Sequence, residues 1–236
     1  MNIFNEDAFK ILENMVKDDV KVDAIITDPP YNISKENNLA TLTNSKRHGI
    51  DFGEWDKDFD LVGWIDNASK LLKPGGSLII FNSFLNISFI ASEISSSGLI
   101  VKDLLRWIKS NPMPRNINRR YVSDYELAVW AVKPKEKWTF NKPDDVKYLR
   151  PEFKTSLVSG KERTIHPTQK SVKLMKEIIS IHTNQNDIIL DPFMGSGTTG
   201  VAALNLGREF IGVELSKQYF EIAKERLINA QIEFDL

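Results

Sequence analysis

The sequence predicts an α/β fold built around a mostly parallel sheet, and three observations carry that prediction. Short apolar runs bounded by turn residues, at 22–27, 77–81 and 187–190, have the length and even hydrophobicity of strands buried on both faces. Stretches with apolar residues at helical spacing alternate with them, as crossover helices do in parallel sheets. Two of the runs end in an acid followed by proline, Asp28-Pro29-Pro30-Tyr31 and Asp191-Pro192-Phe193, at the strand edge where open α/β sheets bind ligands.

Taken in order, Asn2 to Asn5 has strand character and Asp7-Ala8 falls at the turn before a helix carrying Phe9, Leu12, Met15 and Val16. After the strand at 22–27 and its acidic turn, residues 32–55 are polar and without period. So long a stretch in a compact domain is usually functional, and it is expected to be a mobile loop over the site. Leu61, Trp64, Ile65, Ala68, Leu71 and Leu72 mark an amphipathic helix stopped by Lys73-Pro74-Gly75-Gly76. The strand at 77–81 and a helix near 86–97 follow, then strands at 99–108 and 126–132. His166-Pro167-Thr168-Gln169-Lys170 is expected to open a helix through Val172, Met175, Ile178 and Ile179. The strand at 187–190 turns through Gly195-Ser196-Gly197-Thr198-Thr199-Gly200 into another helix. A strand at 210–213, Glu214 and a helix capped by Ser216 complete the chain.

Length and composition bound the function. The 236 residues suffice for one α/β core, here a single domain over 1–236 with a small inserted lobe. The absence of cysteine excludes disulfides, thiolate zinc sites and a cysteine nucleophile. The three histidines are not spaced as a metal pair. No run approaches the ~18 apolar residues of a membrane span, and the first residues lack the pattern of a signal peptide. Net charge is −1, yet residues 102–170 hold 16 Lys and Arg against 8 Asp and Glu, leaving 15 against 24 elsewhere. A basic middle on an acidic frame points to an anionic partner on one face, although solvated basic loops give the same count. Segments 109–123 and 133–165 are the candidates for contacting it. The second interleaves basic residues with Trp138, Phe140, Tyr148 and Phe153, a pattern that serves phosphate tracking and base stacking or the packing of a small lobe.

Two motifs carry chemistry. In Asp28-Pro29-Pro30-Tyr31 two fixed φ angles and two carbonyls without local amide partners make a rigid acceptor cluster beside an aromatic ring, suited to a planar group bearing an amine. Taken alone, the tetrapeptide also reads as a stiff strand exit with an incidental acid. Residues 195–200 spell G-x-G-x-x-G between strand and helix, with Glu214 at the tip of the next strand, the arrangement that grips a dinucleotide. Fewer than forty residues follow Gly200, too few for the rest of a dinucleotide fold. S-adenosylmethionine needs the same close backbone approach and ribose acid.

Together with His166 to Lys170, the two motifs resemble the S-adenosylmethionine-dependent amino-group DNA methyltransferases. Their order, DPPY before the basic segment and FxGxG near the end, resembles the circularly permuted β class of bacterial type II adenine-N6 enzymes. The resemblance implies a Rossmann-like methyltransferase fold, a seven-stranded sheet with one antiparallel strand at 126–132. It implies that Asp28 and the carbonyl of Pro29 accept hydrogen bonds from the target amine beside Pro30, and that Tyr31 stacks on the extruded base. Asp7 and Ala8 would meet the cofactor adenine and Glu214 the ribose. Asp191 and the loop from Phe193 through Gly195, Ser196, Gly197 and Thr198 to Thr199 would hold the methionine portion. His166, Thr168 and Lys170 would complete that pocket, Lys170 near the carboxylate. Arg115, Arg119 and Arg120 are expected to contact double-stranded DNA. A homodimer, a cognate restriction endonuclease acting on the same site and a cytoplasmic, nucleoid-associated location go with the resemblance. Rival functions are cytosine-N4 methylation, for which the family more often shows Ser at the position of Asp28, RNA or a side-chain amide as acceptor, a catalytically silent DNA-binding subunit and a NAD-dependent oxidoreductase.

Overall fold

The computed structural model describes residues 1–32, 58–114, 117–119 and 121–235. Eight strands form one sheet: β1 (Asn2–Phe4), β2 (Val22–Thr27), β3 (Leu72–Asn82), β4 (Ile100–Lys109), β5 (Tyr125–Val132), β6 (Glu152–Thr155), β7 (Ile188–Asp191) and β8 (Glu209–Val213). Their spatial order is β1-β8-β7-β2-β3-β5-β4-β6. Only β5 runs antiparallel to its neighbours. The sheet therefore has one strand more than the seven expected. The addition is β6, from the segment read as a recognition element, which pairs with β4 from Arg106↔Glu152 to Lys109↔Thr155. Four residues among prolines and lysines gave no strand period, and edge pairing supplies what propensity lacks.

Among the described residues six α-helices cover the sheet, three on each side. On one face α1 (Ala8–Lys17), α2 (Ile65–Leu71) and α3 (Ile87–Ser96) bury Leu12, Ala68 and Ile90 against Ile25, Leu78 and Ile80. On the other, α4 (Val172–His182), α5 (Thr198–Leu204) and α6 (Lys217–Asp235) bury Met175, Ala202 and Leu227 against Ala24, Ile26 and Ile79. Residues alternating along β2 and β3 thus serve opposite cores, which is why their sequences are apolar without interruption. No helix among the described residues is long and apolar enough to cross a membrane.

Helix ends follow local chemistry. The Asp7 carboxylate caps α1 by accepting from Lys10 N at 3.2 Å, and the Ser171 hydroxyl caps α4 by accepting from Leu174 N at 3.2 Å. Helix α4 consequently starts at Val172, leaving His166 to Lys170 as a loop. Helix α2 ends at Leu71, and Lys73 to Gly76, expected to stop it, lies within β3 as a bulge, because Leu72 pairs with Val22 and the next residue paired with β2 is Ser77. The aromatic residues of 133–165 mostly serve packing. Phe153 is in the core, Phe140 stacks on Trp130 at 5.6 Å, and the Lys102 ammonium lies 4.0 Å from the Trp138 ring. Phe140 keeps its other side exposed, and Tyr148 is exposed without such a stacking partner in the core.

Strand order reverses between β2, which continues to β3, and β7, which continues to β8. Asp28 follows one of these two adjacent parallel strands and Asp191 ends the other, so both acids meet at the topological switch point. Gly200 sets how closely α5 approaches the sheet. A Cβ there would lie 2.5 Å from Leu227 Cδ2 and 2.6 Å from Phe210 Cε1, inside van der Waals contact. Gly200→Ala is expected to lower stability by about 1–3 kcal/mol through overpacking. Urea unfolding should show a lower midpoint with an unchanged slope; a midpoint equal to the wild type would contradict this packing.

Candidate active site

A cavity of about 400 Å³ opens along the carboxyl edge of β2, β7 and β8. Asp7, Ala8, Asp28, Pro29, Pro30, Tyr31, His166, Thr168, Lys170, Asp191, Phe193, Gly195, Ser196, Thr198, Thr199 and Glu214 all line it. Of the predicted site residues among those described, Gly197 and Arg119 do not. Gly197 turns away, and a Cβ there would meet Ala223 Cβ at 3.0 Å. Arg119 is exposed in the turn at 117–119, and Arg115 and Arg120 lie outside the described residues. The loop predicted at 32–55 falls outside them too, except for Asn32, whose side chain donates to Phe59 O at 2.7 Å and accepts from Phe59 N at 3.0 Å.

The glycine turn is held from two sides. Gly195 and Gly197 take φ of 52° and 77°, a region costly for other residues. Glu214 accepts from Gly195 N at 2.9 Å through one oxygen and from Ser216 N at 2.8 Å through the other, tying the turn to the end of β8. Arg226 on α6 donates to Ser196 Oγ at 3.0 Å and Thr198 Oγ1 at 3.3 Å. Burial pushes the Glu214 carboxyl above its ordinary value. His166, packed edge-on to Tyr219 at 4.5 Å, is driven down to about 4 by burial and then by the cations of Lys170, Arg163 and Arg226, so its imidazole is neutral near pH 7.

At the other end of the cavity a polar cluster surrounds the Lys170 side chain, which is only 5% exposed. Its ammonium contacts Asp28 Oδ2 and lies 3.0 Å from Glu126 Oε2. The Tyr31 hydroxyl donates to Asp28 Oδ1 at 2.5 Å. Lys109 closes the cluster at 2.7 Å from Glu126 Oε1. Two carboxylates and two ammoniums balance. Burial lifts the Asp28 carboxyl against the pull of Lys170. Burial also works to lift Glu126, but the two ammoniums beside it outweigh this and hold it at about 2. Lys170 stays charged because its two carboxylates overcome the cost of burial.

A family profile for DNA methylases matches residues 22–225. The chain belongs to the DNA methylase family. It is 35% identical to the type II methyltransferase M2.LlaDCHI of Lactococcus lactis subsp. cremoris, over 95% of this chain and 88% of that protein. It is 34% identical to the type II methyltransferase M2.DpnII of Streptococcus pneumoniae, over 96% and 89% of the two chains. A crystal structure of the M1.HpyAVI–SAM complex superimposes with a TM-score of 0.80 at 51% identity, covering 96% of this chain and 98% of that one.

For a DNA methylase, the cavity has the parts that S-adenosylmethionine requires. A Cβ at Gly195 would fall 2.9 Å from His166 Nε2, so glycine lets the His166 ring pack against this turn of the cavity wall. Glu214 lies at the tip of β8, where it would meet a ribose, with Asp7 and Ala8 on the cavity wall near the start of α1. Lys170, expected near the methionine carboxylate, has its ammonium between Asp28 and Glu126, two carboxylates that need a counter-charge. Glu126, Lys109 and Arg226 were missed. Each belongs to no motif, and only the spatial pairing of distant elements brings it to the site.

Asp191 is 2% exposed; its Oδ1 accepts from Thr27 Oγ1 at 2.6 Å and Phe193 N at 3.1 Å, and the Thr199 side chain also hydrogen-bonds the carboxyl. Burial raises its carboxyl to about 7 from an ordinary 3.8. The folded state therefore binds this proton more tightly than the unfolded one, and stability from Asp191 is lost as pH rises from about 4 through 7. Asp191→Asn can keep the Thr27 and Phe193 bonds at its carbonyl oxygen. Its melting temperature relative to wild type is expected to climb between pH 5 and pH 8 in calorimetric scans. A constant difference across that window would show that Asp191 is not a raised acid.

Proposed function

We propose that this DNA methylase transfers a methyl group from S-adenosylmethionine to the N6 amine of adenine in a short duplex site, and that its motif order places it in the β class. The observation that carries this is the acceptor cluster of Asp28 and the Pro29 carbonyl at the sheet edge, in the same cavity as the glycine turn and Glu214. The bound cofactor supplies a sulfonium methyl, already electrophilic, whose sulfur leaves with the bonding electrons as a neutral thioether. Everything else falls to the chain. An exocyclic amine on a heteroaromatic ring is a weak nucleophile because its lone pair is delocalised. Asp28 and the Pro29 carbonyl accept one N–H each and favour a pyramidal nitrogen whose lone pair points at the methyl. Such acceptors act as preorganised electrostatic stabilisation, and holding the partners in line lowers the barrier further. The nitrogen gains a carbon and must shed a proton, and Asp28, raised by burial, is a suitable acceptor.

Reaching the amine in a duplex requires flipping the base, at a cost of a few kcal/mol, and Tyr31 stacking returns about 1–3 kcal/mol of it. The hydroxyl that Tyr31 gives to Asp28 in the free protein must release for this. The basic segments 109–123 and 133–165, with Arg115, Arg119 and Arg120, supply the contacts to double-stranded DNA. An acid at position 28, where serine is the more frequent choice for cytosine, favours adenine over cytosine-N4 methylation. A cytoplasmic, nucleoid-associated enzyme, a homodimer and a cognate endonuclease of the same site complete the proposal.

Asp28→Ala is expected to lower methyl transfer at least ~10³-fold, the scale of losing a preorganised polar contact, while calorimetry still records cofactor binding. Single-molecule sequencing of DNA methylated by the wild type should place the mark on adenine. Marks on cytosine, or transfer by the variant at the wild-type rate, would reject the assignment.

A further inference from the structure

Glu126 belongs to neither motif, yet it stands within reach of both groups that occupy Asp28. It lies near the start of β5, the antiparallel strand, so an early residue of that strand arrives at the edge where the parallel strands end. Its Oε2 is 3.0 Å from the Lys170 ammonium and 3.4 Å from the Tyr31 hydroxyl, the same two groups that hold the oxygens of Asp28. Its Oε1 is fixed at 2.7 Å by Lys109, two residues beyond its ladder partner Trp107 on β4. The rest of the surroundings of Lys170 is aromatic, with its ammonium 5.3 Å from the Phe81 ring and 5.9 Å from that of Trp107. Glu126 is therefore the carboxylate near enough to take Lys170 from Asp28.

This matters because both Asp28 oxygens are engaged in the free protein. Tyr31 can leave Oδ1 by moving to stack on a base. The Lys170 side chain is only 5% exposed, and a buried ammonium cannot stand without an anion. We propose that Glu126 is a positioning residue for methyl transfer: anchored by Lys109, it receives the Lys170 ammonium and the Tyr31 hydroxyl, so that Asp28 is freed to accept the substrate amine. The Lys170 side chain needs only to shift its hydrogen bonds between two carboxylates it already touches. No proton changes owner, and the charge of the cluster stays balanced throughout. The inference rests on the methyl-transfer reading above.

The test compares wild type, Glu126→Gln and the Lys109→Met/Glu126→Gln double variant in single-turnover transfer of labelled methyl from S-adenosylmethionine to unmethylated genomic DNA. Cofactor binding is followed by calorimetry and folding by thermal melting. With Gln, Lys170 stays locked on Asp28, and the rate at saturating DNA and cofactor is expected to fall at least about tenfold. The dissociation constant for the cofactor should stay within about twofold, far less than the tenfold that 1.4 kcal/mol would give. The double variant restores the net charge but offers no second carboxylate, so it should remain slow. Glu126→Asp, which keeps a carboxylate one methylene further back, should recover part of the rate and serves in place of Gln if that variant does not melt cooperatively. A wild-type rate in Glu126→Gln, a parallel loss of cofactor binding, or rescue by the double variant would each overturn the inference, leaving Glu126 a brace between β4 and β5. A wild-type protein that moved no methyl to DNA would overturn the parent reading instead.

Discussion

One buried ammonium organises the catalytic end of this protein. Lys170 arrives from the loop before α4, Asp28 from the end of β2 and Glu126 from β5, so a single cation joins three remote parts of the chain. Two carboxylates this close would repel, and at least one would protonate, were no cation between them. The ion pair therefore decides whether Asp28 is a carboxylate, and with it whether the site can hold an amine. It also ties the order of the loop at His166 to Lys170 to the electrostatics of the tetrapeptide. Gln169 secures that loop by accepting from Thr164 N at 2.8 Å and donating to Glu162 O at 2.8 Å.

The sheet gives this cluster its frame. Because β2 and β7 are adjacent, the two acids that end them are neighbours, and the Thr27 hydroxyl beneath Asp28 reaches Asp191 at 2.6 Å. The cofactor end and the acceptor end of the cavity are thus mechanically one object. The aromatic group of Phe59, Trp64 and Phe193, with ring centroids 5.1–5.3 Å apart at the Phe193 contacts, fills the space below the turn that follows Asp191. Asn86 holds the far side of the tetrapeptide by donating to the Tyr31 carbonyl at 2.8 Å. Stiffness begun by two prolines is completed by contacts from α3 and the segment at Phe59.

Much of this was legible in the sequence. Uniform apolar runs marked β2, β3 and β7, and the acids at the ends of β2 and β7 announced the site edge before any pairing was known. Gly195, Gly197 and Glu214 were found because a turn with positive φ and a carboxylate at a strand tip have local signatures. Those signatures fade where pairing or burial takes over. The eighth strand, β6, has no period of its own and exists through hydrogen bonds to β4. Lys170 was recognised as a site residue, but spacing along the chain does not tell which protein carboxylates a lysine meets, and its pairing with Asp28 and Glu126 emerges only in the fold. Glu126 reads as the first residue of a strand and Lys109 as the start of a basic segment facing DNA, whereas Lys109 ends β4 and pairs with Glu126. Trp138, Phe140 and Phe153 fit base stacking and core packing equally until the fold showed them against α4, β4 and β5.

The acceptor site depends on Lys170 opposing the burial that disfavours an ionised Asp28. The most direct measurement is the carboxyl carbon shift of Asp28 followed by NMR across pH, in the wild type and in Lys170→Met. Asp28 is expected to titrate above an ordinary aspartate in the wild type and higher again once the ammonium is removed. Titration at the same pH in both proteins would contradict the account.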